Sequence, residues 1–185
     1  MKDTFEPAEF VIRPMDLDDI PQVHAIDQLS FSLPWPERSF RYEMTENPTS
    51  RQWVAEAVGA NGVRRVVGLA ILWLVLDEIH IGTFAVHPDF RRRGVARQLL
   101  ARSLLAARTE GATHAYLEVR RGNIAAQKLY ESFGFHLTGV RQRYYKNNGE
   151  DALLMDLDKL DTDSLIRFSA HQPALQGGEA GLPPS

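Results

Sequence analysis

The sequence predicts an α+β fold in which a mixed, mostly antiparallel sheet of seven strands carries helices on both faces, in α/β/α layers. Seven apolar or alternating segments have the length and composition of strands, and four stretches with apolar residues at helical spacing interrupt them. The turn residues between successive strands are typical of antiparallel connections. With 185 residues and 44% hydrophobic composition, the chain is long enough for one domain with one sizeable core.

The first half of the chain predicts one strand, two helices and three more strands. Residues 10–13 are apolar and β-prone, and aspartates within 16–19 precede Ile20, Val23 and Ile26 at near-helical spacing. Pro36 suits the first turn of a second short helix, which is predicted over 37–46. The strands that follow are predicted at 52–58, 66–76 and 79–86, with turns at 59–62 and 77–78 between them.

The second half predicts two helices and the last three strands. Small or apolar residues at 96, 99, 100, 103, 104 and 107 form one stripe of an amphipathic helix over 94–108, which Gly111 ends. Residues 113–119 alternate as a half-buried strand does, and Asn123 is placed to cap the next short helix. The closing strands are predicted at 135–144 and 151–157, on either side of an Asn-Asn-Gly turn at 147–149.

Composition limits the domain organisation and the classes of function. We expect an N-terminal extension at 1–9, the domain at 10–160 and a disordered, Pro- and Gly-rich tail at 161–185. A net charge of −3 and the absence of interleaved aromatic residues argue against nucleic acid as a partner. No cysteine is present, the six histidines lack metal-ligand spacing, and no segment resembles a signal peptide or a membrane span. We therefore predict a cytoplasmic protein without a metal or a membrane partner.

The stretch DFRRRGVARQLL (89–100) places a glycine and four arginines at the junction of a predicted strand and a predicted helix. The free N–H groups and the positive end of the helix dipole make such a junction a ready anion site. Gly94 lets the backbone approach a ligand, and the guanidinium groups can add charge-assisted hydrogen bonds. The stretch matches neither the Walker loop nor GxGxxG. A solvated basic turn is the alternative interpretation.

The same stretch resembles the R/Q-x-x-G-x-G/A signature of the GNAT acetyltransferases, whose backbone amides hold the pyrophosphate of acetyl-CoA. FAVHPD (84–89) resembles that family's splayed fourth strand, while LEVR (117–120), Asn123 and AAQKLYESFGF (125–135) resemble its fifth strand and following helix. The resemblance covers residues 10–158 and implies that acetyl-CoA is the co-substrate. The residues implied to bind it are Phe84, Ala85, Val86, Arg91, Arg92, Arg93, Gly94, Val95, Ala96, Arg97 and Asn123, although Asn123 also suits a simple helix cap.

Two further segments resemble one branch of that family, the ribosomal-protein-alanine N-acetyltransferases and related protein N-terminal acetyltransferases. RYY (143–145) followed by GEDA (149–152) resembles the ending of those enzymes, and LPW (33–35) resembles their loop between the first two helices. The resemblance implies that Leu33, Pro34, Trp35, Tyr144 and Tyr145 hold a protein N-terminus, with a ribosomal protein carrying N-terminal alanine as the expected acceptor. Packing of a hairpin is the alternative role for the two tyrosines.

The resemblance also implies a general base at Glu118 and a general acid at Tyr130, since these positions match those proposed for that branch. A peptide α-amine has a pKa of about 7.7 to 8.0, against about 10.4 for lysine, so the base has little to remove near neutral pH. The phenol, with an ordinary pKa of about 10, stays protonated and can donate to the leaving thiolate. Glu118 paired with Arg120 or Arg121, and Tyr130 as a core aromatic, are the alternatives.

Other bases and other functions stay open at this point. Glu78 and His80 lie on the predicted fourth strand, where many GNAT enzymes place their base. The same chemistry with a small amine as acceptor is a second function, and a non-catalytic acyl-CoA sensor is a third.

Overall fold

The computed structural model describes residues 6–170, which form seven strands and five α-helices. Short 3₁₀ turns lie at Leu17–Asp19 and Pro88–Phe90. In chain order the elements are β1 (Pro7–Pro14), α1 (Ile20–Ser30), α2 (Glu37–Thr45), β2 (Ser50–Gly59), β3 (Arg64–Val75), β4 (Glu78–Val86), α3 (Val95–Thr109), β5 (His114–Arg120), α4 (Ile124–Ser132), β6 (His136–Tyr145), β7 (Glu150–Leu157) and α5 (Thr162–Ser169). All the predicted strands and the four predicted helices are present, with ends shifted by a few residues.

The sheet has the order β1-β2-β3-β4-β5-β7-β6 and is antiparallel except between β4 and β5. That parallel pairing is short, because only residues 78–81 of β4 pair with residues 114–117 of β5. Beyond this point β4 still pairs with β3 as far as Val86, and β5 still pairs with β7 as far as Arg120. The two central strands therefore diverge and leave a gap in the middle of the sheet, which we call the strand gap.

Helices cover both faces of the sheet, which confirms the predicted fold class. On one face α1 and α2 bury Val23, Ile26 and Phe40 against β2 and β3. On the other face α3 and α5 bury a second set of side chains, including Leu99 and Leu165. Each fully buried aliphatic or aromatic side chain contributes about 1.5–3 kcal/mol, so the two clusters stabilise the sheet from both faces.

A β-bulge at Gly82 changes which side chains of β4 face which helices. Ile81 pairs with Leu72 and Thr83 with Ile71, so Gly82 is the extra residue on β4. A Cβ at position 82 would lie 2.5 Å from the ring of Trp73, which explains why glycine is needed there. The bulge turns Phe84 toward the face that α3 covers.

The C-terminal segment corrects one expectation. Residues 161–185 were expected to be disordered, but Thr162–Ser169 forms α5, in which Asp161 caps the helix by accepting the N–H of Ser164 at 3.0 Å. Phe168 packs on Phe133 with ring centroids 4.4 Å apart, and Leu165 is buried. The overall tail composition masked this short amphipathic pattern, because the Pro- and Gly-rich part begins only after it.

The domain also begins earlier than expected, since β1 extends to Pro7 and pairs there with Gly59. The remaining parts of the expected extension and tail, residues 1–5 and 171–185, lie outside the described residues. Within the described part of the chain, no helix is long and apolar enough to cross a membrane.

Candidate active site

The loop between β4 and α3 presents backbone N–H groups in the way that an anion site requires. Gly94 is the N-cap of α3 with φ 80°, and Arg92 is also left-handed with φ 62°. Among residues 6–170, no acceptor faces the N–H groups of residues 92–97. Unpaired donors at a helix N-terminus, next to left-handed backbone, form a concave site for phosphate.

The four arginines of this loop have different surroundings. Arg91 turns toward β4, because its Nε donates to the carbonyl of Val86 at 3.0 Å and ties the loop to the end of that strand. Arg92, Arg93 and Arg97 are exposed, and the last two lie over aromatic rings at the surface. Arg91 therefore orients the loop. Arg93 also pairs with the exposed carboxylate of Glu6 at 3.7 Å, and the guanidinium groups of Arg92, Arg93 and Arg97 remain exposed enough to contact an anion.

The predicted coenzyme segment of β4 runs along the strand gap into this loop. Phe84 is half-buried, whereas Ala85 and Val86 are buried. Because β4 no longer pairs with β5 here, its peptide groups on that side are open to an extended ligand, as on a sheet edge. At the start of α4, Asn123 accepts the N–H of Ala126 at 3.2 Å, which confirms the predicted helix cap.

Tyr130 lies beneath the strand gap on the α3 face of the sheet. Its ring packs edge-on against Phe84 at 6.4 Å and at a tilt against Phe135 at 5.7 Å, and it is 6% exposed. Burial raises the pKa of Tyr130 well above its usual value, so the phenol stays protonated. Its hydroxyl has no hydrogen-bond partner among the described residues and is not one of the fully sealed polar atoms. Tyr130 therefore presents a protonated, solvent-touching phenol under the gap, in agreement with the position expected of the predicted acid.

Glu118 lies on the opposite side of the sheet from Tyr130. Its neighbours Leu117 and Val119 are buried in the α3 face, and the alternation of a strand turns Glu118 toward the other face. Since residue 118 follows the last β4–β5 pair, its carboxylate stands at the beginning of the strand gap. The candidate base and the candidate acid therefore flank the gap from its two faces.

The partners of Glu118 are not the two arginines that follow it in sequence. Its Oε1 pairs with Nη1 of Arg141 at 3.0 Å, and the nearby carboxylate of Glu118 raises the pKa of Tyr144. Arg120 and Arg121 instead pair with carboxylates of β7. The alternative in which Glu118 merely neutralises an adjacent arginine is therefore wrong in this structure.

The rival base is close to the same place. His80 pairs in register with Tyr116, stacks on its ring at 5.3 Å, and lies 3.5 Å from the carboxylate of Glu78. Both His80 and Glu78 have nearly half of their side-chain surface exposed. The geometry brings all these candidate bases to one face of β4 and β5, so the kinetics of single variants distinguish them.

The predicted acceptor loop is held by a buried carboxylate and two stacked indoles. Asp27, whose pKa burial raises, accepts the N–H of Trp35 at 2.7 Å. Trp35 stacks on Trp73 with ring centroids 6.3 Å apart and an angle of 11°. Both indoles border an open cavity of 560 Å³, whereas Leu33 and Pro34 are exposed. The loop is therefore anchored at Trp35 and exposed at Leu33 and Pro34.

The structure brings this loop next to the second predicted acceptor segment. Tyr144 and Tyr145 meet edge-on at 5.2 Å on β6, and Arg120 lies over the ring of Tyr145 at 3.6 Å. From the β6–β7 turn, Asn147 donates to the hydroxyl of Ser32 at 2.8 Å. LPW ends at residue 35 and RYY begins only at residue 143, yet the Ser32–Asn147 hydrogen bond brings the loop before LPW and the turn after RYY together.

Sequence reasoning missed several residues of this site, namely Ser32, Trp73, Arg141 and Asn147. Trp73 lies inside an apolar run that predicts only a strand. Arg141 lies on β6, and the pairing of that strand decides to which face the Arg141 side chain points. Ser32 and Asn147 are ordinary loop residues in sequence. Nothing in the sequence signals their contact, because it depends on the relative position of two distant connections.

Comparisons with known proteins agree on one family. The model of the acetyltransferase (GNAT) family matches residues 20–135. The chain is 36% identical over 141 residues to the ribosomal protein bS18-alanine N-acetyltransferase of Salmonella typhimurium, covering 75% of this chain and 90% of that protein. It is 37% identical over 132 residues to the N-alpha-acetyltransferase RimI of Mycobacterium tuberculosis, covering 69% and 78% respectively. The crystal structure of the ribosomal-protein-S18-alanine N-acetyltransferase from Escherichia coli superposes with a TM-score of 0.71 at 31% identity, covering 83% and 96%.

Proposed function

The chain belongs to the acetyltransferase (GNAT) family, and from this premise we propose that it acetylates the N-terminal α-amine of a protein with acetyl-CoA as co-substrate. The expected acceptor is a ribosomal protein with N-terminal alanine, because the relatives from Salmonella typhimurium and Escherichia coli carry that activity in their names. The hydrogen bond between Ser32 and Asn147, which brings together the connections next to the two predicted acceptor segments, supports a peptide rather than a small molecule as the acceptor.

Binding of the coenzyme is assigned to the loop before α3 and to the edge of β4. The N–H groups of residues 92–97, which have no acceptor within residues 6–170, face the pyrophosphate, and the exposed guanidinium groups of Arg92, Arg93 and Arg97 add charge. The pantetheine arm lies along residues 84–86 in the strand gap, where β4 has lost its partner strand. Asn123, just before α4, contacts the coenzyme from the other side of the gap.

The reaction needs no covalent enzyme intermediate, because the thioester is already activated. The nitrogen of the neutral amine attacks the carbonyl carbon, a C–N bond forms and the C–S bond breaks. Glu118 takes the proton from the amine, directly or through a water, and Tyr130 gives its proton to the departing thiolate. Holding both reactants in the gap supplies much of the rate enhancement.

One observation carries this proposal: Glu118 and Tyr130 lie on opposite faces of the sheet at the same interruption between β4 and β5. An amine entering from the Glu118 face and a thiolate leaving toward the Tyr130 face meet their proton partners without any rearrangement. The raised pKa of Tyr130 keeps its proton available over the whole physiological range.

The direct test is a peptide library that varies only the first residue, incubated with acetyl-CoA and read by mass spectrometry. We expect addition of one acetyl group at the α-amine, with alanine among the favoured first residues. The matched control is the same peptide with a blocked N-terminus and a free lysine, which should stay unmodified. Inertness of every free peptide, together with acetylation of small amines, would contradict the proposal.

A further inference from the structure

The hydroxyl of Ser32 connects the loop between α1 and α2 to the β6–β7 turn and to β5, beside the two segments that are predicted to hold the acceptor. Ser32 lies on the loop between α1 and α2, one residue before the predicted acceptor segment. Its Oγ accepts from Nδ2 of Asn147 in the β6–β7 turn at 2.8 Å, and from Nη2 of Arg120 on β5 at 3.4 Å. These are contacts between segments 88 and 115 residues apart in the chain.

Arg120 is the centre of this connection. Its Nη2 also donates to Oδ1 of Asn147 at 3.2 Å, and its Nη1 donates to Oε2 of Glu150 at 2.9 Å. Glu150 in turn accepts the N–H of Gly122 at 2.7 Å, which fixes the end of β5. With 24% of its side chain exposed and its guanidinium 3.6 Å from the Tyr145 ring centre, Arg120 is held firmly.

The outer half of the connection is weak and therefore reversible. Ser32 and Asn147 are both exposed, and an exposed hydrogen bond contributes only about 0.5–1.5 kcal/mol net. The inner half, from Arg120 to Glu150 and Tyr145, is partly buried and stays in place when the outer half opens. Arg120 is therefore a fixed anchor, and the loop between α1 and α2 can bind to it and dissociate from it.

We propose that Ser32, Asn147 and Arg120 form a latch that closes the acceptor site over the bound peptide, with Arg120 as its positioning residue. This inference rests on the proposed function, because it concerns how the same site holds its acceptor. Arg120 lies two residues from Glu118 on the same face of β5. The latch thus sets the distance between the loop that carries the LPW segment and the proposed base.

The test measures steady-state kinetics of Ser32→Ala and Asn147→Ala with an N-terminal peptide and acetyl-CoA. We expect the peptide KM to rise about fivefold to tenfold, the scale of one or two exposed hydrogen bonds, while kcat and the KM for acetyl-CoA stay within about twofold. Because both substitutions remove the Ser32–Asn147 bond, and each also removes one bond to Arg120, the effect of the double variant should be clearly smaller than the sum of the two single effects. Ser32→Thr keeps a hydroxyl and should restore the peptide KM.

Arg120→Lys keeps the charge beside Glu150 but loses the planar fork, so its peptide KM should rise as well. The matched control is Arg121→Lys, on the neighbouring residue, whose exposed guanidinium pairs with Asp151 outside the latch. A peptide KM in Ser32→Ala equal to that of the wild type, or fully additive effects in the double variant, overturns the latch. Failure of the proposed function is distinguishable, because then the wild type and Arg121→Lys also leave the peptide unmodified.

Discussion

Replacing Gly94 by alanine should weaken the binding of coenzyme A about fivefold to thirtyfold. The methyl group itself fits, because the nearest atom to a Cβ at position 94 is Nε2 of Gln98 at 3.8 Å. The cost comes from the backbone, since φ is +80° and an L-residue in the left-handed region costs about 1–2 kcal/mol. At about 1.4 kcal/mol per factor of ten, this strain gives the stated range.

The strain should appear in binding because the free loop can relax. The N–H groups of residues 92–97 have no acceptor among the described residues, so the free loop breaks no hydrogen bond of these groups when the backbone at position 94 relaxes. The coenzyme needs all of them pointing at its phosphates, and binding must therefore restore the left-handed conformation at position 94.

Isothermal titration calorimetry with coenzyme A measures the effect, and the chain offers a matched control. Gly62, in the turn between β2 and β3, has φ +79°, and no atom lies within 4 Å of the point that a Cβ would occupy there. Gly62→Ala carries the same backbone strain, so its free energy of unfolding in urea should fall by that amount. It should nevertheless bind coenzyme A like the wild type. Gly94→Asn should lie between, because asparagine tolerates the left-handed region better. Equal affinity in Gly94→Ala and Gly62→Ala would refute the assignment of the phosphate site to this loop.

Three further predictions concern the proposed proton transfers and the C-terminal helix. Glu118→Gln should lower kcat/KM for the peptide about 10²–10⁴-fold without changing the affinity for coenzyme A by calorimetry; a loss under tenfold would move the base to Glu78 or His80. Tyr130→Phe should lower kcat with little loss of stability in urea, since the hydroxyl has no partner among the described residues. Burial raises the pKa of Tyr130 in the folded protein, so the neutral phenol is fully favoured there below its unfolded pKa of about 10. Above that pH the unfolded chain loses the proton first, and the free energy of unfolding falls. The phenylalanine variant should therefore resist alkaline unfolding better than the wild type. Leu165→Ala, which empties a buried position of α5, should destabilise the protein by about 2–5 kcal/mol in urea, whereas Ile166→Ala on the exposed side of the same helix should change it by under about 0.5 kcal/mol.

The elements could be predicted from the sequence because their signals are local. The alternation over residues 113–119 and the stripe beginning at Ala96 depend only on the periods of a strand and a helix. The cap at Asn123 depends on one side chain and one nearby N–H group. The helix α5 escaped for the same reason, since eight residues next to a Pro- and Gly-rich stretch give a weak local signal.

The candidate site was predicted only in its parts. The glycine and arginines of the anion loop were identifiable from composition and from their place between a strand and a helix. Which arginine turns toward β4 was not, because Arg91 reaches the carbonyl of Val86 only when the strand and the loop have folded together. The partner of Glu118 was also unpredictable, since Arg141 reaches it from a strand that adds to the sheet beyond β7.

The sequence by itself determined the order of strands and helices, the anion loop before α3 and the family to which the chain belongs. The tertiary structure alone decided that β4 and β5 separate after four residue pairs, that Glu118 and Tyr130 face the gap from opposite sides, and that Ser32 meets Asn147. The physical reason is range: propensity, capping and periodicity act within one or two turns of chain. Strand divergence and contacts between distant loops depend instead on how the hydrophobic clusters on the two faces of the sheet pack, which involves residues far apart in the chain.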